Sequence, residues 1–367
     1  MRVHDQILLM IPGPSLPYPD AVLGLNESIE PHYGVEWTEY YHTVIDKLKK
    51  LFGSKQEVHI YPGPASAVME MGIASIIDKG DKVIIVNKGF FIDRFRYIAE
   101  LWGAETIQIA PEEYGELVNL DELGYAIDTV KPKAVIIVHS ETSTGVLEDI
   151  DEISRMIPDD TFLILDSVSS YGAVKLKCDD WGVDICVGYP SKALGGINGL
   201  TPFMVSGRLW ESVKPGRRRP KSFTLDLTIW RDYVEKWRSH PYPVSLSTPL
   251  VKALDRAASR VLSEGIERVE ERHYRISRIV RDEIRGMGLK PLCPDDHASP
   301  TVTVFRLPRN RGFNDVIKRM YEDYGILISS TWLIGINGLR IGHMGYTAQE
   351  KFIIPTLYAL RRVLELD

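Results

Sequence analysis

Short apolar runs alternate with mixed segments between Val83 and Val205. Six of these runs are rich in valine, isoleucine or other apolar residues: KVIIVN, ETIQIA, KAVIIVHS, TFLILDS, DICVGY and TPFMVS. Runs of this length are typical of strands that are buried in a mostly parallel sheet. Because turns or helical segments such as LDELGYAIDTV separate the runs, this part of the chain is predicted to be an α/β domain.

The pattern changes after Pro243. A long helical pattern runs from about Thr248 to Met287, followed by strand-like TVTVFRL, helical FNDVIKRMYEDYG, strand-like ILISS and GLRIGHMG, and the amphipathic segment TAQEKFIIPTLYALRRVLEL. This order predicts a smaller C-terminal α+β domain. For a chain of 367 residues we therefore expect an N-terminal extension over 1–20, a large domain over 21–245 and a small domain over 246–367.

Composition excludes several classes of partner. The net charge of −6 provides no positive field for nucleic acid or an anionic membrane. The N-terminal run ILLMI is too short for a signal core, and no window of the sequence approaches a membrane span. The three cysteines share no metal-ligand spacing and are too few for a disulfide framework. We expect a cytoplasmic protein that acts on small molecules, without a metal.

The basic run KPGRRRPKS covers Lys214–Ser222. A solvated loop is the simplest interpretation of such a run, and contact with an anion or a partner is the alternative.

Two ionisable residues follow predicted strands, where ligands of open α/β sheets bind. Lys192, in GYPSKALGGINGL, lies among glycine, serine and apolar residues. Desolvation would lower its pKa and make the amine nucleophilic, as Schiff-base lysines require, whereas an exposed loop lysine is the alternative. Asp166 ends the run TFLIL, where a carboxylate is costly unless it meets a cation. The protonated ring nitrogen of pyridoxal phosphate would be such a cation; a helix cap or a metal ligand are the alternatives.

These segments, with PGPS near the start and LRIGHMGYTA near the end, resemble the class V, fold-type I pyridoxal-phosphate aminotransferases, in the alanine:glyoxylate and serine:pyruvate aminotransferase branch. The resemblance covers nearly the whole chain. It implies a large domain with a mostly parallel mixed sheet flanked by helices, plus the smaller C-terminal α+β domain. It also implies that Lys192 forms an aldimine with pyridoxal 5'-phosphate, that Asp166 pairs with the pyridine nitrogen, and that Val168 packs under the ring.

The resemblance implies further cofactor contacts. Thr142, in HSETSTGVL, would bond the 3′ oxygen of the ring, and Phe90, in VNKGFF, would stack on its other face. Without the resemblance, Thr142 is a turn hydroxyl and Phe90 a core residue. Ala65 and Ser66, in YPGPASAVMEMGIASI, match a turn that opens a helix, whose free N–H groups and positive dipole end would receive the phosphate.

The chain departs from the family where the phosphate is held. Ser191 precedes the lysine, where the family commonly has glutamine, and Pro64 replaces a hydroxyl residue and lacks an N–H. Arg238 and Pro241, in WRSHPYPVSLSTPLVKAL, stand where the family has a tyrosine and a threonine that reach across a dimer interface. Arg238 would restore phosphate binding as a guanidinium, or is a surface arginine. The resemblance implies a homodimer with sites at the interface.

Arg340, in GLRIGHMG, matches the arginine that binds the α-carboxylate of the substrate in the family; taken alone it would be structural or exposed. The implied reaction moves an amino group from an amino acid to a 2-oxo acid, glyoxylate or pyruvate. We expect a small neutral donor, serine or alanine, because the sequence offers no second assignable arginine for an acidic side chain.

Other reactions on the same scaffold stay open. 2-Aminoethylphosphonate transamination would need an extra cationic cluster, and a lyase or desulfurase is a further alternative. Cysteine desulfurases of this class typically have a histidine before the lysine, where this chain has Ser191, and a mobile catalytic cysteine. A nucleotide-binding oxidoreductase or a regulatory α/β protein would be a rival of another class, but no predicted strand is followed by G-x-G-x-x-G and GYPSKALGG lacks the P-loop spacing.

Overall fold

The computed structural model describes residues 6–213 and 222–364. Along the chain, its α-helices are α1 (Pro19–Leu23), α2 (Val35–Phe52), α3 (Ala65–Ile76), α4 (Phe90–Leu101), α5 (Leu120–Val130), α6 (Ile150–Ser154), α7 (Gly207–Ser212), α8 (Leu227–Lys236), α9 (Thr248–Glu264), α10 (Ile266–Gly286), α11 (Phe313–Tyr324) and α12 (Glu350–Val363). Its strands are β1 (Leu8–Leu9), β2 (Glu57–Pro62), β3 (Lys82–Val86), β4 (Glu105–Ile109), β5 (Ala134–Val138), β6 (Ser140–Glu141), β7 (Val146–Leu147), β8 (Phe162–Asp166), β9 (Ile185–Val187), β10 (Leu200–Val205), β11 (Lys290–Pro291), β12 (Val302–Arg306), β13 (Ile326–Leu327), β14 (Ser329–Ser330) and β15 (Gly338–Gly342). The predicted basic loop lies outside the described residues, except for Ser222.

The larger sheet has seven strands in the order β2-β10-β9-β8-β5-β3-β4. Every neighbouring pair from β9 to β4 is parallel, whereas β10 is antiparallel to both β9 and β2. The predicted mostly parallel mixed sheet is therefore confirmed. Every residue of β5 and β8 is buried, as expected for apolar runs inside a sheet that is covered on both faces.

Strand β2 was not predicted from the sequence. Its segment EVHIYP carries a histidine and a tyrosine instead of a continuous aliphatic run, and it lies at the edge of the sheet. Since β10 is antiparallel to β2 and to β9, β2 points in the same direction as the parallel strands. The carboxyl ends of β2, β3, β4, β5, β8 and β9 consequently share one edge of the sheet.

The smaller sheet is antiparallel, in the order β11-β12-β15-β14, and α10 and α12 pack together beside it. A second hydrophobic cluster fills this part of the chain, and Met10 from the N-terminal segment is one of its members. The pairing of β1 with β13 is parallel, with Leu8 opposite Ile326. Residues 8–10 therefore pack with the C-terminal part of the chain.

The helical pattern predicted as one segment from Thr248 to Met287 forms two helices. Gly265 separates α9 from α10 with a φ of +91°, a conformation that L-residues with side chains rarely adopt. The buried face of α9 joins the hydrophobic cluster of the large sheet, and α10 joins the second cluster from Ile276 onward. The domain boundary at 245/246 stays a prediction, and the packing of α9 favours a boundary within α10.

Candidate active site

The predicted site residues follow the ends of the parallel strands. Ser66 comes after β2, Phe90 after β3, Thr142 after β5, Asp166 at the end of β8 and Lys192 after β9. Because these strand ends share one edge, the topology places segments from distant parts of the sequence side by side. Lys192 also stays close to its strand end. Gly188, which directly follows β9, donates its N–H to Pro202 O at 3.0 Å and keeps the lysine segment on the sheet.

Lys192 is half-buried beside the N-terminal segment, and its Nζ donates a hydrogen bond of 2.6 Å to the carbonyl oxygen of Pro12. Desolvation, together with the nearby Arg340 guanidinium, lowers the pKa of Lys192 to about 8, and Asp166 opposes the shift. Ser15 fixes the lysine segment, since its N–H donates to Ser191 O and its hydroxyl to Lys192 O, both at 2.8 Å. A larger share of this amine is thus neutral at physiological pH than of an ordinary lysine, although most of it stays protonated.

Asp166 is 5% exposed, and its Oδ1 accepts a hydrogen bond of 2.7 Å from the Val168 N–H. Burial raises the pKa of Asp166 to about 7, although the Val168 N–H and the Lys192 charge oppose the shift. Val168 is half-buried. A cation next to this carboxylate would stabilise its charged form, and the protonated nitrogen of a pyridine ring has the required charge.

Arg340, on β15, points back to the large sheet. Its Nη1 donates to Thr142 O at 3.3 Å and its Nε to Ser330 O at 2.8 Å. Burial lowers the pKa of Arg340 to about 10, and the Glu141 carboxylate opposes the shift. Thr142 Oγ1 is buried and has no hydrogen-bond partner among the described residues. An orphaned buried hydroxyl at this position fits a ligand oxygen.

Phe90 is the first residue of α4, and its ring centroid lies 5.3 Å from that of Phe91 in an edge-to-face arrangement. One turn later, the Arg94 guanidinium carbon lies 5.1 Å from each of the two ring centroids. Arg94 is exposed, and it makes no ion pair within residues 6–213 and 222–364. The sequence analysis missed Arg94, although its helical spacing from Phe90 would have placed it on the same face of α4.

Glu141 was also missed, and it is fully buried between the Thr142 segment and α4. Its Oε1 accepts from the N–H and the hydroxyl of Ser143 at 2.9 and 2.6 Å, and its Oε2 accepts from the N–H groups of Phe91 and Ile92 at 3.0 and 3.1 Å. Burial raises the pKa of Glu141 against these four hydrogen bonds. The argument applied to Asp166, that an acid after an apolar run needs donors, would have identified this residue.

The predicted phosphate contacts come from three separate segments of the chain. Ala65 and Ser66 are the first two residues of α3, whose N-cap residue Pro64 makes no side-chain capping hydrogen bond. The first N–H groups of such a helix need partners from outside it. Arg238 is exposed after α8, and no hydrogen bond or ion pair joins it to another described residue. Ser191 is buried. The role of each in phosphate binding stays a prediction.

In the part of the chain that the structure describes, no group of three or more histidine, cysteine, aspartate and glutamate side chains could hold a metal ion. Within the same residues, no helix has the length and apolar character needed to cross a membrane.

The model of the aminotransferase class-V family matches residues 22–337. The chain belongs to this family. It is 33% identical to an uncharacterized aminotransferase of Methanocaldococcus jannaschii, over 98% of this chain and 92% of the relative. It is 30% identical to the pyridoxamine–pyruvate transaminase of Mesorhizobium japonicum, over 97% of this chain and 91% of the relative.

Among solved structures, the alanine–glyoxylate aminotransferase of Nostoc sp. superimposes with a TM-score of 0.92 at 26% identity, covering 98% of this chain and 96% of that chain. The fold is therefore that of the fold-type I pyridoxal-phosphate aminotransferases, as the resemblance implied. Class-V aminotransferases use pyridoxal phosphate. The residues present fit that group, because Lys192 offers an amine of lowered pKa, Asp166 a buried carboxylate, and Thr142 a buried hydroxyl without a partner among the described residues.

Proposed function

We propose that this class-V aminotransferase moves the amino group of a small amino acid, serine or alanine, to glyoxylate or pyruvate, with pyridoxal phosphate bound covalently to Lys192. The observation that carries the proposal is the buried Lys192 amine, whose pKa of about 8 reflects both its burial and the Arg340 guanidinium nearby. An amine in that state can act as nucleophile and as general base near neutral pH.

Arg340 would bind the α-carboxylate of the substrate. Two of its five N–H groups are used by Thr142 O and Ser330 O, so three remain for a carboxylate. A planar guanidinium with two adjacent free N–H groups suits the two oxygens of a carboxylate. Because Arg340 is held at both of these carbonyls, it would fix the orientation of the substrate Cα relative to Lys192.

Lys192 would then move the proton that leaves the substrate Cα. When bound, pyridoxal phosphate stores the electron pair released from this carbon. Asp166 would hold a proton on the ring nitrogen, because a buried carboxylate stabilises a cation beside it. Thr142 Oγ1, which has no partner among the described residues, would bond the 3′ oxygen of the cofactor. Each of these roles belongs to a side chain that the sequence analysis named.

The relatives support the acceptor, since the names of the Mesorhizobium and Nostoc relatives include pyruvate and glyoxylate. Desulfurase chemistry is disfavoured, because Cys178, Cys186 and Cys293 are all buried. Burial raises the pKa of the Cys293 thiol to about 12, so this thiol would be protonated at neutral pH.

Arg94 favours a second candidate for the donor. Its exposed guanidinium lies over Phe90 and Phe91 and lowers the pKa of both Lys192 and Asp166, so it acts electrostatically on the site. A second cation there would suit a donor with a second anionic group, such as aspartate or 2-aminoethylphosphonate. The donor ranking therefore distinguishes the two candidates.

We propose that the protein is a cytoplasmic homodimer in which Arg238 reaches the phosphate of the partner's cofactor. The supporting observation is an exposed apolar face beside Arg238. Ile29 and Val35 are 85% and 70% exposed, and Gly34 N donates to Ser239 O at 3.0 Å, which joins this segment to the Arg238 loop. A second copy of the chain would cover these side chains.

The test is a half-reaction titration without any 2-oxo acid. Purified protein loaded with pyridoxal phosphate is mixed in turn with alanine, serine, aspartate, glutamate and 2-aminoethylphosphonate, and the visible absorption band of the cofactor is followed. We expect conversion to pyridoxamine phosphate, fastest with alanine or serine and abolished in Lys192→Ala. A rate with aspartate at or above the rate with serine would favour the second candidate, a donor with a second anionic group. Release of ammonia or sulfide would replace transamination by a lyase reaction.

A further inference from the structure

Helix α4 begins with the two aromatic residues of the site, and its first turn is fixed by a side chain from outside the helix. The N-cap residue, Gly89, offers no side chain, so it cannot satisfy the first N–H groups of the helix. Glu141 Oε2 accepts from two of them, the N–H groups of Phe91 and Ile92. A carboxylate at this end of a helix also interacts favourably with the helix dipole.

The other carboxylate oxygen of Glu141 is held by its own segment. Oε1 accepts from the N–H and the hydroxyl of Ser143, and the Ser143 hydroxyl oxygen accepts from Phe90 N at 3.0 Å. Gly89 is packed so tightly against Glu141 that a Cβ at Gly89 would lie 2.5 Å from Glu141 Cγ. The contact between the two segments therefore leaves little freedom for either.

The segment that carries Glu141 also carries Thr142, whose carbonyl accepts from Arg340. The aromatic face of α4, the unpartnered Thr142 hydroxyl and the Arg340 guanidinium are thus joined through one buried side chain. The charge of Glu141 also raises the pKa values of Lys192, Asp166 and Arg340, so it lies close to all three ionisable groups of the site.

We propose that Glu141 is a positioning residue of the site: its buried side chain holds the first turn of α4, and with it Phe90 and Phe91, against the segment that carries Thr142. The proposal rests on the proposed function, because the aromatic rings are positioned for the cofactor. The same side chain would hold the first turn of α4 in the cofactor-free chain, since the N–H groups of Phe91 and Ile92 donate to Glu141 without any ligand.

The test compares Glu141→Gln with Asp184→Asn. Asp184 is the control for the loss of a buried carboxylate: it is also buried and accepts a backbone N–H, from Leu163 at 2.9 Å, and it pairs in addition with Arg208, but it precedes β9, at the amino ends of the parallel strands. Both variants exchange a buried carboxylate for an amide of the same size. Ser143→Ala is a milder second variant, since it removes one donor to Glu141 and the acceptor for Phe90 N.

The first readout is amide hydrogen exchange of the cofactor-free full chain. We expect the segment 90–93 to exchange at least about tenfold faster in Glu141→Gln, to a smaller degree in Ser143→Ala, and not in Asp184→Asn. The second readout is the visible circular dichroism of bound pyridoxal phosphate, which depends on the asymmetric placement of groups around the ring. We expect its intensity to change in Glu141→Gln and Ser143→Ala and to stay unchanged in Asp184→Asn.

Unchanged exchange over 90–93 in Glu141→Gln would overturn the proposal, and so would faster exchange with an unaltered dichroism band. Equal changes in Asp184→Asn would also overturn it, since they would show a general loss of stability. If the unsubstituted chain binds no pyridoxal phosphate, the proposed function fails and the positioning role fails with it. If the unsubstituted chain binds the cofactor and the variants match it, the positioning role alone fails.

Discussion

The Nζ of Lys192 donates a hydrogen bond of 2.6 Å to the carbonyl oxygen of Pro12, so the N-terminal segment contacts the reactive amine directly. Two residues earlier, Met10 O accepts from Gly342 N at 2.8 Å, on the strand that carries Arg340. A short stretch of backbone therefore joins the lysine to the strand of the arginine that would bind the substrate.

Gly13→Ala is expected to disturb Lys192 without unfolding the chain. A Cβ at Gly13 would overlap Lys192 Nζ, and Gly13 has a φ of +115°. The amine must move, so we expect covalent attachment of pyridoxal phosphate to be roughly tenfold slower or more. The measurement is the appearance of the cofactor band after mixing with cofactor-free protein.

Gly80→Ala is the control, because Gly80 has a φ of +88° but no atom within 4 Å of its Cβ position. Both variants carry the strain of a left-handed alanine, about 1–2 kcal/mol. If cofactor attachment is slowed in both Gly13→Ala and Gly80→Ala, backbone strain is the cause, and the contact between position 13 and Lys192 has no specific role.

Arg340→Lys is expected to weaken substrate recognition while leaving cofactor attachment nearly intact. Lysine keeps one charge but loses the hydrogen bonds to Thr142 O and Ser330 O and the planar fork for a carboxylate. We expect kcat/KM for the amino acid to fall about 10²-fold or more. Steady-state kinetics with the best donor of the half-reaction screen provide the measurement. A fall in kcat/KM of less than threefold, roughly, would remove Arg340 from the substrate site.

Attachment of pyridoxal phosphate to the cofactor-free protein should depend on pH through Lys192. The folded pKa is lowered to about 8, so half of the amine is neutral at about pH 8 and the neutral fraction levels off above about pH 9. Arg340→Met removes a cation that lowers this pKa, so the profile should move to higher pH. Arg306→Met is the control, because Arg306 is exposed on the neighbouring strand β12. A profile unchanged by Arg340→Met would contradict the electrostatic coupling.

The sequence predicted the elements whose pattern is locally strong. Continuous apolar runs predicted β5 and β8, and the acid at the end of β8 led directly to Asp166. The direction of β10 was not predictable, because TPFMVS would be equally apolar in either orientation. The division at Gly265 was missed, since a single glycine in an amphipathic pattern is compatible with an unbroken helix.

The site residues that the sequence did not predict are those whose role depends on three-dimensional contacts. The position of Glu141 after an apolar run indicates a buried acid that needs donors, but that pattern does not identify the donors, which are N–H groups of a helix some 50 residues away in sequence. Pro12 acts through a backbone carbonyl and therefore leaves no signature in its side chain. Arg238 shows the converse, because a sequence match predicts its role but no hydrogen bond or ion pair joins it to another described residue of its own chain.

Asp166→Asn is expected to stabilise the cofactor-free protein at high pH. The folded pKa of Asp166 is raised to about 7 from 3.8, so the folded state binds more protons than the unfolded state between these values. Stability is therefore lost as pH rises from about 4 to about 7, by on the order of 4 kcal/mol for this group. The asparagine variant lacks this loss. Denaturant unfolding should show a gain at pH 8 that is absent at pH 4, and an equal effect at both values would contradict the shift.

The last prediction concerns the proposed interface, and it depends on Arg238 and Lys192 acting from different subunits. Lys192→Ala and Arg238→Ala would each make both sites of a homodimer defective. A heterodimer of the two variants would contain one site with both residues intact, provided that Arg238 reaches the partner's site. Mixing equal amounts under conditions of subunit exchange should therefore restore about a quarter of the unsubstituted activity, because half of the dimers would be mixed and each would have one intact site of two.

Two controls make this experiment decisive. Each variant incubated alone under the same conditions should gain no activity, and sedimentation should show a dimer throughout. Arg256→Ala mixed with Lys192→Ala serves as the matched control, because Arg256 is bound to Glu27 of its own chain. A monomer in sedimentation would contradict the proposed dimer. A dimer in which mixing restores nothing would show that Arg238 either serves its own subunit's site or lies outside the phosphate-binding group.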